Sequence, residues 1–397
     1  KKIGAKPNFT GDYMKTFRLF SIFVVVALVV ACGGRDERPN RDRQPTATAA
    51  ANVPTSAPAS APTSAPASAP TSAPASAPTS APASTSNEYK IPHTYQVKVF
   101  DNYVVRDAKR NRKFSILVRY PVDAPSPLPL IVWSHGGGPN DNGHHGYNEW
   151  GTTLARAGYA VIHIAHADDD FNAHCAPLKI PVNECDVSHL TKEVSEGGTI
   201  GALWYNRPRD ASAVIDDLDN IERAANLKLD RNRIGAAGHS GGAHTIMSLA
   251  GALIDVSPSV HNLSSVDARF KALIANSPQG VGRLGMTTTS WDKISVPLMI
   301  VTGAADTSQG EEATARLDPF KYIAPGTKYQ LYIDSPKATH ATFGLSPDGT
   351  PELQIYVAGN AIVFFDAYVR GLPEAKAWIN SDKMSLWSKG VAKITVK

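Results

Sequence analysis

The chain has 397 residues, 42% of them hydrophobic and 19% charged, an ordinary balance for one large globular domain or two small ones. Its formal charge of +4 arises in the first 45 residues, which hold nine Lys or Arg and four Asp or Glu. The remainder is almost neutral, and with no basic surplus there a nucleic-acid partner is not expected.

Met14 is a plausible start, which sets residues 1–13 aside from the fold. Lys15 and Arg18 precede an apolar run over 19–31. That run is short for a membrane span and suits a signal peptide. It ends in Val29-Val30-Ala31-Cys32, which resembles the lipobox of bacterial lipoproteins. The resemblance implies that Cys32 is lipidated and becomes the mature N-terminus. Gly33 and Gly34 follow, with no aspartate, which by the sorting rule of that class implies the outer membrane in a Gram-negative cell. Residues 1–32 are thus read as leader and signal. Residues 33–89 form a linker, in which 54–85 are nearly four copies of Pro-Thr-Ser-Ala-Pro-Ala-Ser-Ala. Recurrent proline keeps such a segment extended, so it reads as a spacer between membrane and domain.

Residues 90–397 carry the globular pattern. Stretches 95–100 and 114–120 are alternating or apolar and β-branched, and predict an antiparallel pair joined by a charged turn. Residues 128–133 predict a buried strand, followed by Ser134-His135-Gly136-Gly137-Gly138. A helix is expected over 149–157, closed by Gly158, then a strand over 159–165 and a helix over 210–225. The short apolar run 234–237 predicts a strand buried on both faces, and 243–253 a helix. Strands follow at 270–275, 296–302 and 327–333, with a last helix over 357–369. Strands alternating with helices imply an α/β domain whose sheet is mostly parallel, with helices on both faces.

Between the strand at 234–237 and the next helix stands Gly238-His239-Ser240-Gly241-Gly242, a Gly-x-Ser-x-Gly turn that holds its serine out at the top of the sheet. Ligands gather outside the carboxyl ends of parallel strands. Two later strands end near Gly303-Ala304-Ala305-Asp306 and before His340, giving the chain order Ser240, Asp306, His340. With these residues, Ser134 to Gly138, and Arg207-Pro208-Arg209-Asp210, the region from about residue 96 resembles the α/β-hydrolase superfamily. More narrowly it resembles the dienelactone-hydrolase-like and platelet-activating-factor-acetylhydrolase-like esterases. Dienelactone hydrolases proper carry a cysteine nucleophile, whereas this chain has Ser240, which favours general ester hydrolysis.

The resemblance implies a serine carboxylic-ester hydrolase with Ser240, His340 and Asp306 as its triad. Gly241 and Gly137 would supply the oxyanion-hole N–H groups. Short-chain or polyester-type esters are the expected substrates, with no cofactor and a monomeric state. An amidase or peptidase with the same triad and a non-catalytic surface binding module are the alternatives. Asp334 is a weaker candidate for the acid, and His239 and His244 are expected to pack around the turn. Tyr147, Trp204 and Trp291 are candidates for a substrate pocket, which residues 278–291 are expected to shape. His144-His145, and Asp168-Asp169-Asp170 near His163 and His166, have ligand-type side chains but no zinc or calcium spacing, so no metal is expected. Of the three cysteines, Cys175 and Cys185 form an even pair in an exported chain and suggest a disulfide.

Overall fold

The computed structural model describes residues 87–110, 112–137, 143–166, 200–255, 261–308 and 310–397. The leader, the proline spacer, Cys32, Cys175, Cys185, Asp168 to Asp170 and the side chain of Trp204 lie outside the described residues.

The strands are β1 (Val97–Asp107), β2 (Arg112–Pro121), β3 (Leu128–Ser134), β4 (Ala160–Ile164), β5 (Leu229–His239), β6 (Ala272–Asn276), β7 (Leu298–Gly303), β8 (Lys328–Ile333) and β9 (Ala392–Val396). They form one sheet in the order β1-β2-β4-β3-β5-β6-β7-β8-β9. The run from β4 to β8 is parallel, and β1, β2 and β9 add antiparallel strands at its two edges. Central strands are continuous apolar runs because both their faces are covered; every residue of β3 and β6 is buried.

The helices are α1 (Asn148–Arg156), α2 (Ile200–Asp216), α3 (Leu218–Ala225), α4 (Gly241–Ala250), α5 (Asp318–Tyr322), α6 (His340–Phe343), α7 (Pro351–Tyr368), α8 (Pro373–Ile379) and α9 (Lys383–Trp387). Alternation along the strands divides the core in two. Leu130, Val132 and Ala236 pack with Val214, Ile221 and Ile246 of α2, α3 and α4. Ile131, Trp133 and Ala237 pack with Trp150, Leu154 and Phe364 of α1 and α7. Helices therefore cover both faces, as expected. No helix among the described residues is long and apolar enough to cross a membrane.

Several element bounds differ from expectation. The charged turn lies later than expected, at 108–110, because β1 continues past Phe100 to Asp107 through a register shift between Phe100 and Tyr103. An edge strand can carry charge on its solvent side, which hides it from an apolar pattern. The helix expected over 210–225 starts at Ile200 and breaks at Asp217. Helix α7 starts at Pro351, whose missing N–H costs nothing in a first turn. Two short helices and β9 follow it; β9 buries little beyond Ala392 and so lacks a strand's apolar signature.

The topology fixes where a site can open. From β3 the chain passes through α1 to β4 on one side, whereas β5 lies on the other side of β3. Helix α1 after β3 and helix α4 after β5 consequently pack on opposite faces. The crevice lies between the carboxyl ends of β3 and β5.

Candidate active site

At that crevice the chain turns from β5 into α4 at Ser240, which has φ 55° and ψ −118°. A non-glycine residue there is strained by about 1–3 kcal/mol and persists only when its surroundings impose it. Here the Ser240 N–H donates to Asn276 O at 2.9 Å, and its carbonyl accepts from the Ala243 N–H at 2.8 Å. Gly241 follows at the first helical position, where a backbone N–H has no intrahelical partner. The flanking glycines are required by contact. A Cβ on Gly238 would lie 2.6 Å from the Gly242 carbonyl, and one on Gly242 would overlap the Ser134 carbonyl and lie 2.8 Å from that of His135.

Asp306 and His340 leave the carboxyl ends of the paired strands β7 and β8. A bridge between Ala305 and Thr339 draws the two loops together. His340 Nδ1 and Asp306 Oδ1 are 2.8 Å apart. The carboxylate is fully buried, and it also accepts from Ser277 Oγ at 2.7 Å and Thr302 Oγ1 at 2.8 Å. Arg316 stands 3.1 Å from Oδ1 and donates through Nε to the Asp306 carbonyl. Held this way, the carboxylate fixes the imidazole with Nδ1 protonated and Nε2 as the basic nitrogen. Ser240 and His340 line the same cleft of about 630 Å³, with Gly137, Tyr147 and Leu345. Asp334, the weaker candidate for the acid, is exposed instead.

The loop after β3 is braced at every residue up to Gly137. Ser134 Oγ meets His166 Nε2 at 2.9 Å, and His166 Nδ1 meets Asp210 Oδ2 at 3.1 Å. Burial pushes the Asp210 carboxyl up, but hydrogen bonds from His166 and Arg112 prevail and hold it below its usual range. This trio has the connectivity of a nucleophile, base and acid, yet Ser134 and His166 are each 1% exposed, so no substrate reaches them. Its effect is to anchor the loop. Arg207 then donates to the carbonyls of His135 at 2.8 Å and Gly136 at 3.1 Å.

A second chain crosses the cleft wall. The Gly136 N–H donates to the Tyr147 hydroxyl at 3.1 Å, and that hydroxyl lies 3.1 Å from His239 Nδ1. His239 Nε2 lies 3.0 Å from the His340 carbonyl, which can only accept, so Nε2 carries the proton and Nδ1 accepts from Tyr147. Burial, then the neighbouring His340, hold the His239 imidazole well below its ordinary value of 6.5. Folded His239 thus resists a proton that the unfolded chain takes up below about 6.5, so stability is lost as pH falls under that value. The loss approaches about 1.4 kcal/mol per pH unit for one such histidine. Urea unfolding should show lower stability at pH 5 than at pH 7, and His239→Gln, which cannot titrate, should lose less over that interval.

Tyr147 lines the cleft. Trp291 does not: it is fully buried in the core, with its N–H on Met247 Sδ at 3.2 Å. The same indole suits a core and a pocket, and only its packing tells them apart. Among the described residues the cleft wall comes from 146–149, Ser308, Ala341 and 344–347, not from 278–291. His244 is buried with Nε2 2.9 Å from the Leu284 carbonyl, and burial lowers its pKa to about 4. Sequence reading missed Arg316, Ser277 and Thr302, and gave Arg207 no role. The ligands of Arg316 and Arg207 here are largely main-chain carbonyls, which leave no trace in residue types. No family model matches this chain and no curated protein does either, so the chemistry of the site follows from its own geometry.

Proposed function

We propose that this chain is a serine hydrolase of carboxylic esters, built on the α/β-hydrolase fold. The observation that carries the reading is the buried Asp306 carboxylate, 2.8 Å from His340 Nδ1, with His340 opening on the cleft that Ser240 enters from its strained turn. In this mechanism Ser240 Oγ attacks the ester carbonyl carbon while its proton passes to His340 Nε2. Asp306 stabilises the resulting imidazolium. The N–H groups of Gly241 and Gly137 would bind the oxyanion, each contributing roughly 3 kcal/mol in the transition state. The ester C–O bond breaks, His340 returns its proton to the departing alkoxide, and an acyl-serine remains. Water, deprotonated by His340, then attacks the acyl carbon and releases the carboxylic acid with Ser240 restored.

The cleft volume lies within the range of small-molecule sites, which supports short-chain esters or the ends of polyester chains. The lipobox-like Cys32 and the proline spacer support a membrane-tethered enzyme in the cell envelope. Incubation with a fluorophosphonate tests the reading. One adduct is expected, mapped to Ser240 by peptide mass spectrometry, with loss of p-nitrophenyl butyrate hydrolysis. Faster turnover of the matching anilide would move the assignment to an amidase. Neither adduct nor ester hydrolysis would remove the enzyme reading.

A further inference from the structure

Outside the cleft, three ligand-type side chains far apart in the sequence come together. Asp101 lies where β1 shifts register, next to Asn102 with φ 60°. That irregularity turns its carboxylate toward the 3₁₀ turn Gly143–His145. His145 Nε2 lies 2.9 Å from Asp101 Oδ2, and His144 Nε2 lies 3.7 Å from Oδ1. All three ligand atoms fall within 4.8 Å of one another. The two imidazoles are stacked, with centroids 4.0 Å apart and planes inclined by 29°.

We propose that Asp101, His144 and His145 bind a divalent transition metal of the zinc class, with solvent water completing the shell. Around a tetrahedral zinc with bonds of about 2.0–2.2 Å, neighbouring ligand atoms lie about 3.3 Å apart. From the single oxygen Oδ1 of Asp101 the two imidazole nitrogens stand 3.0 Å (His145) and 3.7 Å (His144) away, which brackets that value. A cation between the three uses both ring nitrogens and offsets the carboxylate charge. Two imidazoles with one carboxylate suit zinc, nickel or copper rather than the all-oxygen shells of calcium and magnesium. The site is partly exposed, leaving room for water at a fourth position. An ion there would tie β1 to the turn that continues through Gly146 into Tyr147 of the cleft wall.

Calorimetric titration of the chelator-treated full chain with zinc chloride tests this, with cobalt absorption as a second probe. One zinc per chain is expected, with a rise in Tm, and cobalt should give the visible bands of a tetrahedral site. His145→Ala and Asp101→Ala remove direct ligands. Each should weaken zinc binding by more than the roughly 10- to 100-fold that losing an outer-shell partner costs. Zinc should also protect His145 from diethyl pyrocarbonate in the unsubstituted chain, a readout that needs no variant. Absence of zinc binding and protection, or unchanged stoichiometry and affinity in the doubly substituted chain, would overturn the site. Neither result depends on whether the chain hydrolyses esters.

Discussion

Replacing Ser240 by alanine is expected to lower kcat for an activated ester by on the order of 10⁴- to 10⁶-fold. The loss is that large because, in the proposed mechanism, the Ser240 oxygen is the atom that attacks and that carries the acyl group. Alanine keeps a Cβ and the same backbone restraint, so the turn at φ 55° stays imposed by Asn276 and by the start of α4. Stability should change little, which separates chemistry from folding. His340→Ala should cost nearly as much, and the double substitution hardly more than either alone, because in the proposed mechanism the two groups act as one unit. Residual turnover from the oxyanion donors should survive all three changes. An unaffected Ser240→Ala enzyme would place the nucleophile elsewhere, and an additive loss would mean that Ser240 and His340 do not act together.

The second large effect is structural. Gly242→Ala should destabilise the domain by about 3 kcal/mol, since the added Cβ overlaps the Ser134 carbonyl. Two backbone segments meet there, and neither can turn aside as a side chain could. Relief requires α4 and the end of β3 to separate, which displaces the loop that carries Gly137. Activity of the protein that still folds should therefore fall as well. Gly137→Ala is the natural contrast: its Cβ would meet no atom of the described residues within 4 Å, so urea unfolding should show little change. Equal stability in Gly242→Ala and the unsubstituted chain would mean that helix and loop are not packed as described.

Residues whose role is set by their neighbours in sequence were legible. The strand, turn and helix around Ser240 are contiguous, so small residues, a sharp turn and an apolar helix announce themselves together. Asp306 and His340 were legible as polar residues just past strand ends. Trp291 and Tyr147 were indistinguishable as aromatic types, and the sheet sent one to the core and the other to the cleft. Asp101 and His145 are joined across 44 positions by a register shift that no spacing rule contains.

Sequence alone determined the α/β class, the buried parallel strands, the strained serine turn and the order in which Ser240, Asp306 and His340 occur. These follow from apolar periodicity and turn chemistry, which act over a few residues. Tertiary structure decided which strand ends became neighbours, and with them the Asp306–His340 contact, the Arg207 brace and the Tyr147–His239 chain. Those depend on strand order and register, settled by burying two core layers at once, and no local segment carries that information.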